Sequence, residues 1–329
     1  MENYCITDPR YERMKYAYCG RSGLMLSRVA LGFWHNFGYT DRNAPFAEGA
    51  EGQTPQDYGR CRDIVHCAFD SGVTYFDLAN NYGPPAGSAE QCFGRIMRES
   101  MQPHRDEMVI ATKAGHDMWP GPYGEWGSRK SLMASLDQSL RRMNLDYVDI
   151  FYSHRPDPRT PLEETMQALV DIVRSGKALY VGISKYPPEM AQKAYDYLRA
   201  HDTPCLVYQG KYNMMVRDHE EKILPQAAAN GAGYVAFSPL NQGLLTDRYL
   251  HGIPEGSRMT RGKFLKPEAL TDDYRQFIAG LDAEAREKGC TIAQLALSWI
   301  LRRPEVTSVI VGASSVEQLK QNLAVVDLL

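Results

Sequence analysis

Phe76-Asp77-Leu78-Ala79-Asn80-Asn81-Tyr82-Gly83 ends a short apolar run on an aspartate and then turns polar, with a tyrosine five residues after the acid. The run spans residues 74–78, a length that suits a buried strand better than a helix. An acid closing such a strand, followed by a turn rich in asparagine and glycine, describes a strand that opens onto a polar surface.

Outward from this stretch the same pattern recurs. Short β-branched apolar runs alternate with longer amphipathic segments, as expected of parallel strands joined by helices. The strand candidates are residues 29–33, 74–78, 108–112, 148–153, 178–183, 206–209, 234–238 and 308–311. A helix candidate follows each, most clearly at 128–143, 161–175 and 291–301, where apolar residues recur at three and four and Ser128 or Thr291 supplies a cap. Before the first pair, residues 16–28 contain Gly20 and Ser22-Gly23 and read as a β-hairpin that plugs one end. Eight β-α units without a linker or a composition break favour a closed (β/α)8 barrel over a doubly wound sheet. The expected organisation is one domain over residues 1–329, with 1–15 as a polar extension.

Composition narrows the function classes. The chain is 43% hydrophobic and 23% charged with a net charge of −3, which supports neither disorder nor a polyanion partner, so nucleic acid is not expected. The amino terminus lacks an apolar core, and no run approaches the roughly 18 apolar residues of a membrane span, which points to a cytoplasmic protein without membrane insertion. The cysteines, Cys5, Cys19, Cys61, Cys67, Cys92, Cys205 and Cys290, are odd in number and lack Cys-x-x-Cys spacing, so they read as reduced thiols.

A barrel enzyme assembles its site at the carboxyl ends of different strands. Here Trp34 follows the first strand, Asp77 closes the second, and Lys113, His154, Ser184-Lys185, Gln209, Ser238 and Gly312 with Ser314 follow the others. A lysine after a strand is usually solvated, and a buried histidine is usually a satisfied core residue; their joint placement is what points to a site. Tyr82 then reads as a proton donor, Lys113 as a cation lowering its pKa from about 10, Asp77 as the anchor of that lysine, and His154 as the group orienting a substrate oxygen. Such a set suits proton delivery to a carbonyl under reduction.

These positions lie in wider motifs: Asp77 to Gly83, Ala111-Thr112-Lys113, Tyr152-Ser153-His154-Arg155, Val181-Gly182-Ile183-Ser184, Phe237-Ser238-Pro239-Leu240 with Gly243-Leu244-Leu245, and Gly312-Ala313-Ser314. In these motifs the chain resembles the aldo-keto reductase family from about residue 16 to 329. Trp34-His35-Asn36-Phe37-Gly38, Asn80-Asn81-Tyr82-Gly83-Pro84-Pro85 and Met118-Trp119-Pro120-Gly121-Pro122-Tyr123-Gly124 are similar to its bacterial L-glyceraldehyde 3-phosphate reductase branch, a neighbour of the potassium-channel β subunits.

The resemblance implies an NADPH site at the barrel mouth with Asp77, Tyr82, Lys113 and His154 as its catalytic tetrad. It implies that Phe237 stacks on nicotinamide, that Ser184 and Gln209 hold its carboxamide, and that Ser238, Leu240 and Gln242 run along the pyrophosphate. Arg258, Ser314 and Gln318 match the adenosine end and its 2′-phosphate, and Trp34, Lys185, Arg248, Gly312, Gln321 and Asn322 complete the coenzyme set. For substrate it implies Trp34, Trp119 and Arg155. Trp119, Tyr123 and Trp126 followed by Arg129 and Lys130 suit a small phosphorylated aldehyde; alternatively the aromatics pack their loop and the cations belong to the next helix face. Methylglyoxal and related short aldehydes fit as well.

The chain departs from the family at Lys185, where asparagine or arginine is usual, at Gln321, where glutamate is usual, and in stopping directly after its last helix. Residues 39–56 form a long loop that reads as a lid or as surface decoration.

Competing motifs fail on context. Gly231-Ala232-Gly233-Tyr234-Val235-Ala236 fits a dinucleotide fingerprint but precedes a strand, so it reads as a turn. Tyr11 and Lys15 have short-chain dehydrogenase spacing without the glycine-rich turn. No metal-ligand spacing is present. Because channel β subunits resemble the chain too, a nicotinamide-sensing regulatory subunit of a membrane protein, with slow or vestigial catalysis, stays open beside the reductase. A homo-oligomer is compatible with both.

Overall fold

Runs that are apolar on both faces need cover on both, and helices flanking a parallel sheet provide it. The computed structural model describes residues 9–38, 57–261 and 265–329. In chain order its elements are α1 (Arg10–Arg13), β1 (Tyr16–Tyr18), β2 (Met25–Ser27), β3 (Val29–Gly32), α2 (Tyr58–Asp70), β4 (Tyr75–Asp77), α3 (Ser88–Ile96), β5 (Val109–Ala114), α4 (Arg129–Met143), β6 (Val148–Ser153) and α5 (Leu162–Arg174). They continue as β7 (Ala178–Ser184), α6 (Pro188–Ala200), β8 (Val207–Lys211), α7 (Ile223–Ala229), β9 (Gly233–Phe237), α8 (Arg258–Arg261), α9 (Asp272–Glu287), α10 (Ile292–Leu301), β10 (Val306–Val311) and α11 (Val316–Leu323). Strands β3 to β10 form a closed barrel, parallel throughout, in which β10 pairs with both β9 and β3. The expected (β/α)8 barrel is therefore what the chain forms.

The hairpin of β1 and β2 seals the end opposite the strand carboxyl termini. Arg21 N donates to Gly231 O at 2.9 Å, and a Cβ on Gly20, whose φ is 60°, would stand 2.1 Å from that oxygen. Cys19 and Leu26 join Ala30, Tyr75, Val109, Ala111, Ile150 and Tyr152 in the cluster filling the barrel. Gly231-Ala232-Gly233 is thus the turn that receives the hairpin and starts β9.

Helix starts at α4, α10 and α11 are capped by side chains, the first two by the residues that sequence singled out. Ser128 accepts from Ser131 N, Ser315 accepts from Gln318 N, and Thr291 with Gln294 forms a reciprocal capping box. Between α3 and β5 the chain continues as a π-turn at Met97–Met101 and a 3-10 segment at Gln102–Glu107, which the apolar period did not announce. Helices α3 and α4 touch at Gly94, where a Cβ would lie 2.0 Å from Arg142 O. Beside that contact a buried Glu90 carboxylate accepts from Arg142 Nε at 2.7 Å and from Thr112 Oγ1 at 2.5 Å. Among the described residues no helix is long and apolar enough to cross a membrane, and no cluster of three or more potential metal ligands occurs. The six described cysteines are free thiols; Cys5 and the loop 39–56 lie outside the described residues.

Candidate active site

Two strands longer than sequence suggested carry the centre of the site. β5 runs through Lys113, which pairs in register with Tyr152 of β6, and β7 runs through Ser184, in register with Gln209 of β8. Side chains alternate across a strand, and Lys113 is fully buried inside. Its Nζ donates to Asp77 Oδ2 at 2.7 Å, to Leu78 O at 2.6 Å and to the Tyr82 hydroxyl at 3.4 Å. Burial lowers the Lys113 pKa, and the Asp77 carboxylate opposes that shift. Asp77 also accepts from Gln209 Nε2 at 2.8 Å and from the Tyr75 hydroxyl at 3.2 Å, while the Tyr75 and Tyr152 hydroxyls bond at 2.9 Å.

The turn that presents Tyr82 extends the sheet before leaving it. Leu78 N donates to Ala111 O and Asn80 N to Lys113 O, after which Tyr82 N turns back to Ala79 O. The turn is pinned from outside, since a Cβ on Gly38 would stand 2.2 Å from Pro84 O. Tyr82 is half-buried as a side chain, yet protein surrounds its hydroxyl. That burial, followed by the Asp77 charge, raises its pKa well above the usual value. Here the structure departs from the expectation that Lys113 lowers the Tyr82 pKa. Burial and the Asp77 charge outweigh the nearby ammonium, so the phenol stays protonated through the neutral range.

His154 follows β6, with its backbone N on Ala114 O at 2.9 Å. Its ring stands edge-to-face with Tyr82 at 5.9 Å and with His116 at 4.5 Å between centroids. Its Nδ1 is buried without a hydrogen-bond partner. Burial, then Lys185, Lys113, His116 and Arg155, hold the imidazole neutral well below its ordinary pKa. His116 is likewise lowered, to about 4, by burial and then Lys185.

Apart from Trp34, which follows β3, the coenzyme candidates follow β7, β8, β9 and β10, four consecutive strands of the rim. Ser184 Oγ and Asn322 Nδ2 are buried polar atoms without partners, a condition that a ligand carrying amide and adenine groups would relieve. Phe237 is half-buried at the end of β9. After it, Ser238, Asn241 and Gln242 hold φ values of 52°, 43° and 62°, left-handed conformations that turn backbone toward the rim. Asn213 Nδ2 fixes that loop through Ser238 O at 3.0 Å. Trp34 is half-buried, edge-on to His35. Leu240 and Gln242 are half-buried on the same loop, whereas Arg248, Gly312, Ser314 and Gln321 are exposed.

Gln209, Ser314 and Gln318 of the coenzyme candidates already have partners. Gln209 donates to Asp77, and the Ser314 N and Oγ both bond Gln318 Oε1 at 2.8 and 2.9 Å, so that helix start is capped by its own chain. The Arg258 side chain lies outside the described residues. With these exceptions the residues present fit a nicotinamide coenzyme.

Around the substrate loop, a pocket of about 460 Å³ is lined by Asp117, Met118, Trp119, Pro120, Gly121 and Glu125. Arg155 reaches Glu125 of that lining but is committed. Its Nε donates to Gly115 O at 2.8 Å, it pairs with Glu125, and its guanidinium lies 3.8 Å from the Trp126 ring centroid. Arg129 pairs with Asp171 of α5, so it belongs to the helix face, and Lys130 lies 5.3 Å from the Tyr123 ring. Sequence reasoning missed the Tyr75–Tyr152 phenol pair and His116. Tyr75 was findable, because it stands two residues before Asp77 and so shares its face of the strand.

Comparison with known proteins shows the family. The aldo/keto reductase family model matches residues 31–329. L-glyceraldehyde 3-phosphate reductase of Escherichia coli K12 is 52% identical over 319 residues, covering 95% of this chain and 88% of that protein. A probable voltage-gated potassium channel subunit beta of Arabidopsis thaliana is 35% identical over 323 residues, covering 96% and 92%. A protein of the same description from Oryza sativa subsp. japonica is 34% identical over 323 residues, with the same coverage.

Proposed function

Since the chain belongs to the aldo/keto reductase family, we propose that it reduces small aldehydes of the L-glyceraldehyde 3-phosphate or methylglyoxal type to alcohols, with NADPH as coenzyme and Tyr82 as acid. The observation that carries this is the Lys113 ammonium, held by Asp77 at 2.7 Å and reaching the Tyr82 hydroxyl at 3.4 Å in a buried site. When bound, the coenzyme supplies the hydride. Phe237 and Ser184 would hold its nicotinamide end, the loop from Ser238 to Gln242 its phosphates, and Asn322 its adenine end.

The chain's own residues manage the proton and the developing charge. Tyr82, protonated through the neutral range, donates to the carbonyl oxygen as negative charge gathers there. The neutral His154 ring offers a second donor aimed at the same oxygen, and such preorganised donors act most strongly where water is excluded. As Tyr82 gives up its proton, the Lys113 ammonium stabilises the phenolate left behind. Asp77 keeps that ammonium charged despite burial. Tyr75, Tyr152 and Gln209 fix the carboxylate so that the whole relay keeps one geometry. A cytoplasmic location and a small-molecule partner belong to the same proposal.

The test follows loss of reduced nicotinamide absorbance with NADPH or NADH against DL-glyceraldehyde 3-phosphate, methylglyoxal and an aromatic aldehyde. A positioned acid contributes about 10² to 10⁴ in rate, so Tyr82→Phe should lose most turnover while coenzyme affinity stays within about threefold. NADPH binding without turnover on any aldehyde would instead favour a nicotinamide-sensing subunit, which the lower identity to the channel proteins makes the weaker reading.

A further inference from the structure

We infer that Lys185 is the residue that recognises the anionic end of the substrate, so that this site selects phosphate-bearing short aldehydes over their uncharged counterparts. The inference rests on the reductase reading and adds the specificity determinant to it. Among the described residues three cations reach the barrel mouth near His154, and two are already used. Lys113 serves Asp77 and Leu78 O, and Arg155 serves Glu125, Gly115 O and the Trp126 face. Lys185 has no hydrogen-bonded or ion-paired side-chain partner among the described residues. Its ammonium lies 5.6 Å from the Phe237 ring centroid, a contact that steers it without neutralising it.

Its placement is built into the rim. Lys185 follows β7 directly, holds a left-handed φ of 62° and donates its backbone N to Gln209 O at 3.3 Å. A lysine keeps such a conformation only where the surrounding structure enforces it. Although the residue as a whole is exposed, protein crowds its ammonium, and the charges acting on it, Lys113 and Arg155, are both positive. In turn it is the foremost charge acting on both His154 and His116. An ammonium with no anionic partner among the described residues, acting on two neutral imidazoles at the mouth, is a receptor for an anion carried by the molecule being reduced. A phosphate dianion answers that excess of positive charge most fully.

Lys185→Met and Lys185→Arg test this with DL-glyceraldehyde and DL-glyceraldehyde 3-phosphate, substrates that differ only in the phosphate. For Lys185→Met the KM for the phosphorylated aldehyde should rise about 10- to 100-fold relative to that for glyceraldehyde, the worth of one charge-assisted contact. Lys185→Arg should restore most of the difference, and the Kd for NADPH should move by less than about threefold. An equal effect on both aldehydes, or a loss of NADPH affinity as large as the KM effect, would overturn the inference, the latter assigning Lys185 to the coenzyme. Glycerol 3-phosphate binding to the NADPH-loaded protein, read by coenzyme fluorescence, needs no turnover. Weaker binding in Lys185→Met supports the inference even if the reductase reading fails, and unchanged binding sinks it.

Discussion

At the scale of single residues, the buried ion pair between Lys113 and Asp77 decides both chemistry and stability. Removing one partner of such a pair leaves an uncompensated charge, whereas removing both is often tolerated. Lys113→Met should therefore cost about 3–5 kcal/mol in urea unfolding. Asp77→Leu combined with Lys113→Met should recover part of that stability while leaving the protein inactive; a double variant no more stable than the single one would show that the pair does not govern folding. Asp77, Lys113 and His154 were legible in the sequence because each is a polar group at the end of an apolar run, and Tyr82 because it stands in the polar turn that follows the first of them. The bond between the phenols of Tyr75 and Tyr152 was not, since it joins two strands and a tyrosine inside a strand looks like core. Nor was the capture of Arg155 by Glu125, because a carboxylate on another loop leaves no periodic trace. The direction of the Tyr82 shift depended on burial and on the reach of the Asp77 charge, neither of which is visible from residue types.

At the scale of elements, strand centres and helix caps followed from local pattern, while strand ends did not. The extension of β5 to Ala114 and of β7 to Ser184 comes from continued pairing with neighbours, so it belongs to the sheet and not to either run. The contact of α3 with α4 has a sharper consequence. A methyl at Gly94 cannot coexist with Arg142 O, and the helices carrying Glu90 and Arg142 must part to admit it. Gly94→Ala should destabilise by about 1–3 kcal/mol, the range for overpacking, with a lower urea midpoint as the measurement. An unchanged midpoint would mean that the helix contact is slack.

At the scale of the whole molecule, two neutral imidazoles inside the mouth make the fold sensitive to acid. His116 has its pKa lowered from 6.5 to about 4, so an unfolded chain takes up the proton first as pH falls between those values. Its contribution to stability is thus full above about 6.5, declines on acidification and levels off below about 4. His116→Gln should flatten the loss of unfolding free energy over that interval; identical pH profiles for variant and wild type would place the acid sensitivity elsewhere. Closure of the barrel carries a different consequence, for the order of events during synthesis. Asp77, Lys113 and His154 leave the ribosome early, but β3 has only one neighbour until β10 is made and pairs Val309, Ile310 and Val311 with Val29, Ala30 and Leu31. Each nascent chain therefore carries its reactive groups on an open sheet until β10 emerges, which ties the onset of activity to the synthesis of that one strand.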